Sequence, residues 1–283
     1  MRSNQLSYPP DEQYYTAIIY KATQAIMKIL RFSTPDLSPR YGWLLEDKIG
    51  TIDGSIFDSY RRFEPDIDVE SVKLLPPVKP GKILCVGRNY EAHAKEHQTT
   101  VGEIPTLFLK PPSSLIGPGD AIILPPQSQQ VQHEAELAVV IGKKGRWIKP
   151  EIAMDYVFGY TIGNDVTARD LQRSDVQWTR GKGFDTFCPL GPWIETEFDP
   201  ADALITCHVD EHLRQMASTR DMVFTVPQLV VFISSIMTLE PGDVILTGTP
   251  AGVGDLRGGM TVSINIEGLG TLINPVVEES LSV

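Results

Sequence analysis

The sequence predicts an α+β protein, mostly β and built as a mixed roll, on three observations. Short strand-like runs bounded by Gly, Pro and Asp recur along the chain, and helical patterns are few. The steady strand–helix alternation of a doubly wound sheet is missing. The 283 residues suit one large domain plus a small one, with the 42% hydrophobic and 22% charged content of an ordinary globular chain. No run approaches the ~20 apolar residues that a membrane-spanning helix needs. The net charge of −11 argues against nucleic acid and anionic membranes as partners. An acidic substrate stays open, because a bound cation reverses the local field. Cys85, Cys188 and Cys207 are too scattered for a disulfide framework or a Cys-x-x-Cys zinc pattern, so each reads as a small buried hydrophobe in a reducing cytoplasm.

Taken in order, residues 1–26 lack the cationic start and continuous apolar core of a secretory signal. They read as a dispensable extension ahead of Met27, an upstream start. Residues 27–75 hold "MKILRF", "YGWLLED" and "KIGTIDG", three strand candidates of a small β-rich unit. "LLPPVKPGK" (74–82) is the linker candidate, and residues 76–283 form the larger domain. "KILCVG" reads as a strand, and "RNYEAHAKEH" as a loop entering a short helix. "PTLFLK" and "AIILPP" are strands. "ELAVVIGKKGRWI" reads as a hairpin turning at "KKG". "YVFGYTIGNDVTARDLQ" starts as a strand and turns helical at an N-cap on Thr167. In "TVPQLVVFISSIMTL", Thr225 and Gln228 make a capping box with Pro227 in the first turn of a buried helix. "PGDVILTGTP" closes the series as turn, strand and loop.

The chemistry starts from "HEAELAVVIG". Glu134 and Glu136 are two residues apart in a strand, so they share a face at roughly 6.6 Å. Two anions there repel by about 2–3 kcal/mol at an effective dielectric near 20. With Asp165, where an apolar strand ends, they offer three hard oxygen donors suited to octahedral Mg²⁺ or Mn²⁺. The plainer alternative is an exposed strand face with Asp165 as a turn residue. In "HAKEH", His93 shares a helix face with Glu96 and with His97. That spacing suits a His–Glu dyad that activates water, the His-x-x-Glu-His pattern of inverted zinc peptidases, or an ordinary solvated face. Arg169, Gln172, Arg180 and Lys182 stand ready for anionic or carbonyl oxygens, with Arg180 better read as surface charge. "GTPAGVGDLRGG" lacks both the Gly-Lys-Ser/Thr of a phosphate loop and the context of a dinucleotide fingerprint; a substrate contact from Thr249 stays open.

"CVGRNYEAHAKE", "FLKPPSSL", "HEAELAVVIG", "GNDVTARDLQ", "WTRGKGFDTFCPLGP" and "PGDVILTGTPAGVG" stand in the order of the fumarylacetoacetate hydrolase family, which the chain resembles over about residues 80–275. The resemblance implies a mixed β-roll catalytic domain behind a small N-terminal unit, a homodimer, and bound Mg²⁺, Mn²⁺ or sometimes Ca²⁺. It implies Glu134, Glu136 and Asp165 as metal carboxylates, and His93 and Glu96 as the dyad of a lid. Lys182 is implied as a catalytic cation, and Arg88, Lys110, Gln172 and Thr249 as substrate contacts. The metal site made without histidine demotes the zinc-peptidase alternative. Family reactions include acylpyruvate and fumarylpyruvate hydrolysis, oxaloacetate decarboxylation, and isomerisation or decarboxylation in homoprotocatechuate breakdown. The expectation is metal-dependent C–C cleavage of a 2,4-dioxo or 2-oxo dicarboxylic acid, of the acylpyruvate-hydrolase type with oxaloacetate decarboxylation beside it. Alternatives are the 2-hydroxyhepta-2,4-diene-1,7-dioate isomerase and 5-oxopent-3-ene-1,2,5-tricarboxylate decarboxylase reactions, and a non-catalytic metal- or ligand-binding relative.

Overall fold

The structure, a computed structural model, describes residues 27–35 and 37–280; the proposed extension at residues 1–26 lies outside the described residues. Among the described residues a twelve-stranded mixed sheet forms the backbone of the fold. Its order is Tyr60–Asp68, Lys48–Gly54, Leu37–Leu45, Lys28–Thr34, Cys188–Glu195, Val157–Asn164, Ala135–Ile141, Val244–Leu246, Ile83–Gly87 and Thr106–Lys110. Two short strands, Lys73–Leu75 and Leu115–Ile116, pair alongside it. Most pairings are antiparallel, but Val244–Leu246 runs parallel to Ile83–Gly87. The second sheet has five strands, in the order His212–Ser218, Leu204–Val209, Thr261–Ile266, Gly270–Glu278 and Ile122–Leu124.

Strand Ala135–Ile141 is buried along its whole length, which is why it reads as a continuous apolar run. Leu137, Val139 and Ile141 enter the main core with Ile205, Ile264 and Val276 of the second sheet. Ala138 and Val140 face the other way and pack with Cys85, Leu190 and Leu246. Removing such a buried Leu or Ile side chain costs about 2–5 kcal/mol, so this strand is a rigid base for the carboxylates at its start. Helix Val226–Ile236 closes the main core with Leu229, Val230 and Ile233. Gln228 Oε1 accepts from the Thr225 N–H at 2.8 Å, as the capping pattern requires.

Two local expectations change. The hairpin does not turn at Lys143–Gly145: Gly145 bridges to Leu239, and a 3₁₀ segment Pro150–Tyr156 intervenes before strand Val157–Asn164 returns. Backbone donors that a tight turn would pair locally are taken by the 234–239 region instead; Trp147 N–H donates to Ser234 O at 3.0 Å. The helix after Asp165 is capped at Ala168 and not Thr167, whose hydroxyl turns back to Asp165 O at 2.8 Å. The proline-rich stretch 74–82 is packed, with Pro77, Val78 and Pro80 buried. Strand Lys28–Thr34 pairs directly with Cys188–Glu195, so the sheet runs without a break from the N-terminal strands into the rest. All three cysteines are free and buried, as expected of small hydrophobes.

Candidate active site

Antiparallel pairing of Ala135–Ile141 with Val157–Asn164 places Ala135 opposite Asn164, so Glu134 and Asp165 meet at the strand ends. The Asp165 N–H donates to Glu134 O, and the Glu134 N–H donates to Asn164 Oδ1, both at 2.9 Å. Glu136 follows on the same face as Glu134. One oxygen from each of Glu134, Glu136 and Asp165 lies within 4.8 Å of the others, and all three residues are buried.

The chain's own cations compensate this triad unevenly. Lys182, at the end of helix Thr179–Lys182, donates to Glu134 Oε2 and Asp165 Oδ2 at 2.7 Å each. Lys110 donates to Asp165 Oδ1 at 2.6 Å. Arg169, at the start of helix Arg169–Ser174, pairs with Glu134 Oε1. Burial opposes charge on Glu134, but Lys182 and Arg169 outweigh it and hold the carboxyl well below its ordinary range. Burial likewise opposes charge on Lys182, and Asp165 and Glu134 reverse it, keeping the ammonium above its usual value. Glu136 differs. Among the described residues it has no ion-pair partner; Gly248 N–H reaches its Oε2 at 2.7 Å. Burial first, then Asp165 and Glu134, push its carboxyl well up.

Helix Glu91–Glu96 brings the dyad to the same cleft. His93 Nδ1 lies 3.3 Å from Glu96 Oε2, and with the carboxylate accepting, Nε2 is left as the lone-pair nitrogen. Gly252 N–H holds Glu96 Oε1 at 3.1 Å. Burial pulls the His93 imidazole below its ordinary value, against the attraction of Glu134. His97 stacks edge-on against His93 at 4.6 Å between ring centres, and its Nε2 is buried without a hydrogen-bond partner among the described residues. Burial and the nearby Arg169 lower its pKa to about 4.

Triad and dyad open into one cleft of about 390 Å³ that Arg88, Gln172, Lys182 and Thr249 also line. Arg88, at φ 59°, sits over the Trp178 ring at 5.9 Å. Gln172 Oε1 accepts from Arg169 Nη1 at 2.9 Å. Thr249 is nearly sealed, its hydroxyl donating to Ala135 O at 2.9 Å, so it anchors the loop as well as lining the cleft. Lys110 departs from the expected substrate contact. It is fully buried and outside the cleft lining, its ammonium held by Asp165 and by Val166 O at 3.0 Å. Arg180 is exposed and paired with Asp175, in keeping with surface charge.

The sequence reading named Arg169 only in general terms and missed Gln215. Gln215 is fully buried in strand His212–Ser218. Its Oε1 accepts from Ala135 N–H and lies 3.1 Å from His133 Nδ1; its Nε2 donates to Thr249 Oγ1 at 2.7 Å and Pro250 O at 2.8 Å. No local pattern signals a contact made across 80 residues of chain.

Comparison with known proteins gives the family. The profile of the fumarylacetoacetate (FAA) hydrolase C-terminal domain matches residues 82–277, and an Rv2993c-like N-terminal profile matches 27–77. The human mitochondrial oxaloacetate tautomerase FAHD2A is 48% identical over 216 residues, 72% of this chain and 69% of that one. The 2-hydroxyhepta-2,4-diene-1,7-dioate isomerase of Mycobacterium marinum superposes with a TM-score of 0.83 at 42% identity, covering 90% of this chain and 100% of its own. A maleylpyruvate hydrolase from Sphingobium, solved with manganese(II) and pyruvate, gives 0.75 at 34% identity, with 90% and 100% covered. With the match spanning the catalytic region and the same mostly-strand fold beneath it, the chain belongs to the fumarylacetoacetate hydrolase family.

Proposed function

We propose that this protein is a divalent-cation-dependent enzyme that moves a proton on the carbon beside the keto group of a 2-oxo dicarboxylic acid. Oxaloacetate enol–keto tautomerisation is the simplest case. The observation that carries the reading is Glu136, a buried carboxyl with no ion-pair partner among the described residues, set beside two carboxylates that have theirs. Three hard oxygen donors of this kind fit Mg²⁺ or Mn²⁺, with Ca²⁺ as a looser match. Bound there, the cation would supply Lewis acidity toward the carboxylate and keto oxygens of a 2-oxo acid.

The chain's own residues do the rest. Lys182 orients Glu134 and Asp165 and sets a buried positive charge where oxyanion charge develops. His93 Nε2 takes a proton from the carbon beside the keto group and delivers it to the enolate oxygen, or carries it from the enol oxygen to that carbon in the other direction, while Glu96 fixes the tautomer and Gly252 fixes Glu96. Positioned acid–base groups of this type contribute about 10²–10⁴ in rate. Lys182, Lys110 and Arg169 pair with Glu134 and Asp165 and none of them pairs with Glu136, so a divalent cation would supply the charge that Glu136 lacks and an attraction that a dicarboxylate meets.

The dyad favours one second reading, hydrolysis of an acylpyruvate, in which His93 deprotonates water for attack on the distal carbonyl. The family's hydrolases and decarboxylases share the enolate that this site suits. The test follows the ultraviolet absorbance of enol-oxaloacetate with purified protein in Mn²⁺ and again after EDTA. Metal-dependent decay to the keto form without pyruvate supports tautomerisation, and pyruvate formation points to decarboxylation. No acceleration with Mn²⁺ bound sets tautomerisation aside, and acetylpyruvate yielding acetate and pyruvate would then establish hydrolysis.

A further inference from the structure

The hard carboxylate triad leaves one cluster in the cleft unexplained, the imidazole of His97 beside the dyad. One ligand atom each from His93, Glu96 and His97 lie within 4.8 Å of one another. This set differs in kind from the triad, with two imidazole nitrogens and one carboxylate oxygen. Imidazole suits Zn²⁺, Cu²⁺ and Ni²⁺, whereas an all-carboxylate set suits Mg²⁺ and Mn²⁺. His97 Nε2 is buried with no hydrogen-bond partner among the described residues, although a buried polar atom is ordinarily satisfied. Lacking a fixed partner, it gives up no hydrogen bond on turning to a ligand. The two histidines sit one helical turn apart, across the last turn of helix Glu91–Glu96, and both line the cleft, where water can complete a fourth position.

We propose that His93, Glu96 and His97 form a second cation site, selective for Zn²⁺ over Mg²⁺ and Mn²⁺, whose filling takes the dyad out of action. Tetrahedral zinc with bonds of about 2.0–2.1 Å wants ligand atoms roughly 3.4 Å apart, so the cluster closes by side-chain rotation of about an ångström. Zinc bound there takes the Glu96 carboxylate from His93 Nδ1 and so breaks the dyad, and burial already disfavours the protonated form of both imidazoles, as ligation requires. The inhibitory consequence rests on the dyad's role under the proposed function; the binding site does not. Two neighbouring sites of unlike donors would let one cleft be activated by a hard ion and shut by a borderline one.

The test measures Zn²⁺ binding by competition with a chromophoric chelator, on Mn²⁺-saturated protein and on a Glu134→Ala, Glu136→Ala double variant. One zinc per chain is expected in both. His97→Ala, and His97→Gln as a check on folding, should weaken zinc by at least about tenfold and leave Mn²⁺ affinity unchanged. Co²⁺ in the double variant should show the intense visible bands of tetrahedral coordination. Loss of zinc in the double variant, or unchanged zinc affinity in both His97 variants, overturns the proposal. Where turnover is measured, stoichiometric zinc should suppress it in the wild type and not in His97→Ala, each compared with its own zinc-free rate. A protein that turns over no 2-oxo acid defeats the functional reading alone, because the binding and Co²⁺ measurements still decide the site.

Discussion

Lys182 Nζ donates to Glu134 Oε2 at 2.7 Å with both side chains almost wholly out of water. The same ammonium reaches Asp165, so one buried cation stabilises two of the three triad carboxylates. Removing one partner of a buried ion pair leaves an uncompensated charge and costs about 3–5 kcal/mol. Lys182→Met should therefore lower metal-free stability on that scale in urea unfolding with EDTA. Saturating Mn²⁺ should return much of the loss, because a divalent ion bound by the triad supplies the missing positive charge. A loss that Mn²⁺ leaves untouched would separate Lys182 from the cation site.

Glu134 and Glu136 should respond in opposite ways to the same change. Glu134→Gln breaks pairs with Lys182 and Arg169 and leaves both cations buried, so metal-free protein should melt several °C lower. Glu136→Gln removes a carboxyl whose charge burial and its neighbours already oppose, so metal-free protein should melt at the same temperature or higher. Both variants should lose Mn²⁺ affinity in calorimetry. Equal destabilisation by the two would show that the triad is compensated evenly.

What was legible in the sequence follows from the range of each interaction. Glu134 and Glu136 share a face because strands have a period of two, and Gln228 caps its helix three residues from Thr225; both are local rules. Asp165 joins them because the apolar strand before it pairs back on Ala135–Ile141. Lys110 was misplaced because which cations face the cleft and which lie behind the carboxylates depends on how strand Thr106–Lys110 packs at the sheet edge. The expected turn at "KKG" failed for the same reason, since Gly145 finds its partner at Leu239, far along the chain. Gln215 carried no signal because its four contacts lie with residues 133, 135, 249 and 250.

Glu195 predicts a pH dependence away from the cleft. It is buried beside Lys28 in the strand pairing, and its Oε2 has no hydrogen-bond partner among the described residues. Burial raises its pKa, against the Glu197 N–H and the charge of Lys28. A carboxyl raised on folding contributes stability that is complete below its unfolded pKa and is lost as pH rises through the folded one. Glu195→Gln removes that loss. The variant should therefore melt a few °C above wild type at pH 7.5, the scale on which about 1 kcal/mol moves a chain of this size, with the gap closing toward pH 4.5. A constant gap across that range would assign the effect to packing.

The loop 248–252 meets the triad through Gly248 and the dyad through Gly252, and Gln215 holds it from behind. Gly252 sits at φ 100°, where an added Cβ would fall 2.0 Å from Arg214 O, so Gly252→Ala must shift the backbone that donates to Glu96. Gln215→Met keeps the side chain's length and removes its hydrogen bonds, leaving buried groups at Ala135 and Pro250 unsatisfied at about 1–3 kcal/mol each. Both variants should speed hydrogen exchange across residues 248–252 and 91–97 together. Gly252→Ala should keep Mn²⁺ affinity close to wild type and lower kcat by about tenfold or more, because it disturbs the dyad and spares the triad. Gln215→Met should lower both, since Ala135 stands between Glu134 and Glu136. Faster exchange at 248–252 with the 91–97 segment unchanged would show that the loop does not hold the dyad, and the contact between Gly252 and Glu96 would then have no part in turnover.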